Sequence, residues 1–216
     1  MIEKVQRKII ITTITVMLFA ALAGGATMAL FTDVATNVNN RFSAGTVDIG
    51  ADRALGDPIP GPMFYSTAAE GRHPGHPLPH NPTGLWLPGR TVSRNLSVRN
   101  MGSLQVRINR VSAQIVSING DAPPLALAAS FAGNMNVKIF VIGQRDRVLY
   151  NGSLATLLTP QTTVHRPVIA PFTGWWPPTL GLVYKVTMSS TAGNDLQGIV
   201  PIVSFSVYAE QTANNP

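Results

Sequence analysis

The feature that most constrains this chain is a strict two-residue alternation that recurs along its length. In TVSRNLSVRN, Thr91 to Asn100, Val92, Leu96 and Val98 share one parity, while Thr91, Ser93, Asn95, Ser97 and Arg99 share the other. Successive side chains of a strand point to opposite faces, so this period marks a half-buried strand. The pattern returns at Leu182, Tyr184, Val186 and Met188, and again at Ile199, Val203, Phe205, Val207 and Ala209. Asn100-Met101-Gly102-Ser103 reads as a turn. Beyond it Leu104, Val106 and Ile108 keep one parity and Val111, Ala113 and Ile115 take the other, which predicts a β-bulge between them. VKIFVI, Val137 to Ile142, is apolar on both faces and suits a central strand. Arg145-Asp146-Arg147 reads as a turn before a strand at Val148–Tyr150. Phe42 to Ile49 reads as a strand with an irregularity at Gly45, and Pro201 predicts an edge or a bulge at the start of the last strand. Leu125–Phe131 is a modest helix candidate. Seven to nine strands separated by turns predict an all-β protein, a β-sandwich of jelly-roll type with long loops.

Composition supports that class. Only 12% of the 216 residues are charged, while Gly and Pro number 19 and 17, a balance that favours loops and strands over helices. The chain has no cysteine, so neither disulfides nor a thiolate site is available. Residues 57–88 stand apart: they carry eight of the 17 prolines, which cannot donate to a strand ladder. This Pro/His-rich segment reads as a surface excursion packed locally by Phe64, Tyr65 and Trp86.

The first residues have a different character. MIEKVQRK is basic, and Ile9 to Phe31 contains no charged residue over 23 positions. The strongly apolar part ends at Ala23, Gly24-Gly25 interrupts it, and small residues follow. That order is the one of a secretory signal. Residues 1–29 are expected to be a signal peptide cut between Ala29 and Leu30, giving a secreted protein. The run is also long enough to span a bilayer, so a retained anchor stays open as the alternative.

Charge and residue type exclude several functions. The net charge is +6, and beyond residue 29 the chain has 13 basic and 9 acidic residues. Eleven of those 13 are arginines spread singly, whereas nucleic-acid binders cluster their basic residues; no nucleic-acid partner is expected. GxSxG and HExxH are absent, and no paired carboxylates suggest acid–base work. His73, His76 and His80 are the weak candidates for a metal site, since imidazole suits zinc or copper. Neighbouring prolines restrict their convergence, and a polar loop is the simpler reading. No catalytic residue, metal or cofactor is expected. Trp175-Trp176 would be either a cap over the sandwich end or an interface anchor. Asn95 and Asn151 begin glycosylation sequons.

Three blocks carry a resemblance: GGATMALFTDVATNVNNRFSAGTVDIGAD, LPGRTVSRNLSVRNMGSLQVRI and LQGIVPIVSFSVYAEQT. Together they resemble the TasA/camelysin family of secreted biofilm-matrix fibre proteins, which is similar to archaeal bundling pili. The resemblance implies a jelly-roll subunit, here residues 41–216, that polymerises head-to-tail into extracellular fibres or pili. It further implies that the segment freed by leader cleavage, residues 30–40, acts as a donor strand to the next subunit. Leu30, Phe31, Thr32, Val34, Thr36 and Val38 would form that strand, with Leu30, Val34 and Val38 seated in the neighbour's groove. Partners would be identical subunits and lateral fibre contacts, with Trp175 and Trp176 as the candidate bundling surface, and a membrane only through an uncleaved leader. Arg90 departs from the Asp that often follows Pro-Gly in the family. Some relatives carry a metallopeptidase label, so a camelysin-like metallopeptidase and a membrane-anchored surface adhesin remain the alternatives.

Overall fold

Strand-forming residues dominate the chain, and they assemble into two antiparallel sheets. The computed structural model describes residues 32–36, 47–54, 62–71, 82–196 and 198–212. Within them lie ten strands: β1 (Thr32–Thr36), β2 (Ile49–Ala54), β3 (Thr91–Asn100), β4 (Val106–Ile118), β5 (Met135–Val141), β6 (Gln144–Ser153), β7 (Gln161–Thr162), β8 (Val168–Ile169), β9 (Thr179–Met188) and β10 (Pro201–Gln211). Two short helices join them, α1 (Leu125–Gly133) and α2 (Leu154–Leu157). The first sheet runs β1-β10-β4-β7, with β8 also on β4, and the second runs β2-β3-β9-β5-β6. The expected all-β class is therefore met, with antiparallel pairing throughout.

The alternating positions form the core between the sheets. Leu96 and Val98 of β3, Leu182, Tyr184, Val186 and Met188 of β9, and Val203, Phe205, Val207 and Ala209 of β10 are all buried in one apolar cluster. Tyr184 and Phe205 meet across it, their ring centroids 4.8 Å apart at 56°. The change of parity in β4 is a bulge, as expected: Tyr208 pairs with Arg110 and Ala209 with Ile108, so Asn109 is the extra residue. A second irregularity, between Ile202 and Val203, falls just after Pro201.

Several local expectations are corrected. Of the strand expected over Phe42–Ile49, residues 42–46 lie outside the described residues; Val47 and Ile49 are both buried, and β2 continues from Ile49 to Ala54. The turn after β5 sits at Ile142-Gly143, where Gly143 has φ +75°, a left-handed conformation that costs glycine nothing. Arg145, Asp146 and Arg147 consequently belong to β6. β5 is not covered on both sides: Val137, Ile139 and Val141 are buried, while Lys138 and Phe140 stand half-buried on the outer face.

The proline-rich segment is more than a peripheral excursion. Met63, Phe64 and Trp86 join the main core, and Phe64 forms a β-bridge with Val203 of β10. Phe64 also packs against Trp86 and edge-on to Phe205, at 6.0 and 5.7 Å between centroids. Buried Arg53 of β2 ties this layer down, donating to the Pro62 and Gly71 carbonyls at 3.2 and 2.8 Å and lying over the Tyr65 ring. Arg90 holds the other end, donating to the carbonyls of Thr83 and Leu85. Proline spacing signals the loops, but the aromatic residues between prolines supply core surface that no periodicity announces.

Tyr184 yields a first prediction. Its hydroxyl is buried without a hydrogen-bond partner, a condition worth about 1–3 kcal/mol, and burial pushes the phenol well above its ordinary range. A raised folded value means the folded state holds the proton more tightly. That contribution is intact below the unfolded tyrosine value of about 10 and is lost as pH rises from there through the folded value. Tyr184→Phe is expected to leave neutral-pH stability equal or about 1 kcal/mol higher and to soften the alkaline loss. Urea melts at neutral and alkaline pH measure both, and a clear neutral-pH loss would contradict the account.

Candidate assembly edge

β10 is bound on one side by β4 along its whole length, Pro201 to Gln211. On its other side β1 pairs antiparallel, Thr32 with Glu210, Asp33 with Ala209, Val34 with Tyr208, Ala35 with Val207 and Thr36 with Ser206. The segment anticipated as a donor strand thus lies on β10 of its own chain. Beyond that five-residue stretch, the first half of β10 has no second strand partner among the described residues apart from the Phe64 bridge to Val203.

Register is the informative part. Residues directly opposed in an antiparallel pair share a face. Val207 and Ala209 are buried core residues, so positions 33 and 35 fall in core rows. Positions 32, 34 and 36 fall in the outer rows of Glu210, Tyr208 and Ser206. An intermolecular seat for Val34 in a core groove needs the opposite parity, and a slip of one residue exchanges the two sets. In the pairing within the chain, positions 33 and 35, the less apolar parity in sequence, are the register partners of buried Ala209 and Val207.

The C-terminal end of this edge carries a charged clamp that alternation alone did not reveal. Glu210 has the parity opposite to the apolar set Val203, Phe205, Val207 and Ala209, yet it is buried. Its carboxylate accepts from Arg107 Nε at 2.7 Å and from Asn109 Nδ2 at 2.8 Å. Arg107 and Glu210 stand opposite each other in register, and Asn109 is the bulge residue, so the bulge turns a second donor toward the same carboxylate. One pleat along, Arg110 lies 5.2 Å from the Tyr208 ring centroid and Ser112 Oγ is 3.3 Å from the Tyr208 hydroxyl. The clue in the sequence was an acidic residue in the final strand; its partner is 103 positions away.

The remaining candidate residues divide between surface and undescribed regions. Trp175 and Trp176 are 97% and 88% exposed, in the loop before β9. Neither caps the sandwich, because the chain bends at residues 174–176 and holds both indoles off the core. Ala29, Leu30, Phe31 and Val38, the whole leader, and His73, His76 and His80 lie outside the described residues, as does the 1–29 boundary. Among the described residues no group of three or more His, Asp or Glu side chains could hold a metal, so they offer no fit to a catalytic zinc, and no step is derived through one. No described helix is long and apolar enough to cross a membrane.

Comparison with known proteins adds one positive finding. Residues 4–56 match the family model described as camelysin metallo-endopeptidase. The matched stretch includes β1 and β2 and covers about a quarter of the chain; the sheets from β3 onward lie outside it. No curated protein matches the chain. The segment that supplies the edge strand is therefore also the segment that carries the family's pattern, and over residues 4–56 the chain is a match to the camelysin family, consistent with its TasA/camelysin resemblance.

Proposed function

We propose that the protein is a secreted structural subunit of extracellular fibres or bundling pili, polymerising head-to-tail as segment 30–40 of one subunit adds to the β10 edge of the next. The observation that carries this reading is the pairing of Thr32–Thr36 along β10 in the less apolar parity. A sheet edge that accepts this strand from its own chain presents the same backbone groups to a strand from another, and strand addition is an established binding mode. A one-residue change of register would place position 34 opposite a core row, and the proposed exchange between subunits would use that register. Such a contact is heterologous and open, the geometry that builds filaments.

Two further features support the reading. The sheet orders β1-β10-β4-β7 and β2-β3-β9-β5-β6 leave β1 at the edge of its sheet, as strand donation in a jelly-roll subunit would require, so removing that strand would open an edge of β10. Leader cleavage after Ala29 would free the end that must be donated, coupling export to assembly. The exposed Trp175 and Trp176 would serve lateral bundling.

Electron microscopy of the mature protein, with and without residues 30–38, tests the mechanism. The shortened protein is expected to stay folded and monomeric, and Val34→Asp to weaken polymerisation. Identical filaments from the shortened protein would overturn strand donation. The family's printed name supports a second reading, a metallo-endopeptidase; zinc-dependent proteolysis lost on replacing His73 or His76 would favour it. N-terminal sequencing of exported protein separates the anchored adhesin, which would begin at Met1.

A further inference from the structure

Beyond its eighth residue the chain has only two lysines, and the fold sets them side by side. Lys138 of β5 and Lys185 of β9 are directly opposed in register, on the face of the second sheet that points away from the core. Like charges so placed are destabilising, and neither ammonium has a carboxylate partner among the described residues. Ser93 of β3 opposes Lys185, and Asn151 of β6 opposes Lys138. The row Ser93–Lys185–Lys138–Asn151 therefore crosses four strands, about 14 Å at the usual strand spacing.

The next row brings an aromatic surface. Asn95, Val183, Phe140 and Val148 are in register across the same strands, and the Lys138 ammonium lies 5.7 Å from the Phe140 ring centroid. Arg145, just past the Gly143 turn, adds a third cation. Asp146 is flanked in sequence by Arg145 and Arg147, so this hairpin stays net positive. Together Ser93, Lys138, Phe140, Arg145 and Lys185 line an open depression of about 580 Å³.

We propose that this depression binds a carboxylated polysaccharide, a linear glycan bearing uronate groups. Charge complementarity selects the occupant: three cations without carboxylate partners among the described residues line one depression on a four-stranded stretch of sheet. The neutral neighbours refine the choice. Ser93, Asn95 and Asn151 offer hydroxyl and amide groups suited to sugar hydroxyls, and Phe140 offers an apolar face for a sugar ring. A nucleic acid would demand a longer basic track, one cation per several phosphates along its path. The adjacent row, Thr91, Thr187, Asn136 and Ser153, carries no charge.

Titration of the full chain with polygalacturonate, and with dextran as the neutral control, tests the proposal. Polygalacturonate is expected to bind in a salt-sensitive manner and dextran not to bind. Lys138→Gln with Lys185→Gln should lower affinity by about tenfold or more, equivalent to about 1.4 kcal/mol, while melting at or above the parent temperature because the repulsion is gone. Lys185→Gln alone should give a smaller loss, and Arg110→Gln on the other sheet none. Unchanged affinity in the double variant, equal binding of dextran, or tighter lysine-dependent binding of duplex DNA would each overturn it. The readout needs no filaments, so its failure leaves the fibre reading standing, and failure of the fibre reading leaves this one standing.

Discussion

Phe205→Ala is expected to destabilise the folded protein by about 3–5 kcal/mol, the usual cost of emptying a buried aromatic site. Phe205 is buried at the middle of β10, between the two sheets and beneath the proline-rich layer. It meets Tyr184 of the opposite sheet at 4.8 Å and Phe64 of that layer edge-on at 5.7 Å, and Phe64 in turn packs on Trp86. Truncation would thus weaken three packing layers at once. Domains have only about 5–15 kcal/mol in total, so this one change would remove a large share. Urea unfolding with an unchanged slope would report it, and Phe205→Leu, which retains more volume, should cost distinctly less. A loss below about 1 kcal/mol would show that Phe205 is not the joint described.

Arg107→Ala is expected to cost about 3–5 kcal/mol by a different route. Glu210 is buried against β4 with Arg107 Nε at 2.7 Å and Asn109 Nδ2 at 2.8 Å. Taking away the guanidinium removes the Arg107 cation from a buried carboxylate, which is costlier than never having had the pair. Arg107→Ala combined with Glu210→Gln should therefore recover part of the loss, and the difference measures the coupling. Because Thr32 pairs with Glu210, the same variants should also impair strand addition at this end of β10. Loss of stability with no recovery in the double variant would mean that Arg107 acts by packing its stem alone.

Much of the fold was legible because the two-residue period reports directly on which positions face a core. β3, β9 and β10 follow the alternation, and the parity change in β4 marks its bulge at Asn109. Legibility failed where burial does not follow a period. Met63, Phe64 and Trp86 sit among prolines in irregular backbone, yet they belong to the core. Phe140 is apolar but faces outward, since apolarity on both faces of a strand does not say which sheet face another layer will cover. Arg145–Arg147 look like a turn by composition; the left-handed Gly143, two residues earlier, makes the actual turn.

The candidate site was legible in part for the same reason. The residues of LFTDVATN announce a short strand with two alternative faces. Only the fold shows that β10 is the edge it meets within the chain, and in which parity. What the sequence determined by itself is what depends on local spacing: the all-β class, the order of most strands, and the family pattern in residues 4–56. What the tertiary structure alone decided is what depends on distant residues becoming neighbours. Arg107 and Glu210 are 103 positions apart, and Lys138 and Lys185 face each other only because β5 and β9 pair. A period is written in each strand, whereas a partner is chosen by the packing of the whole chain.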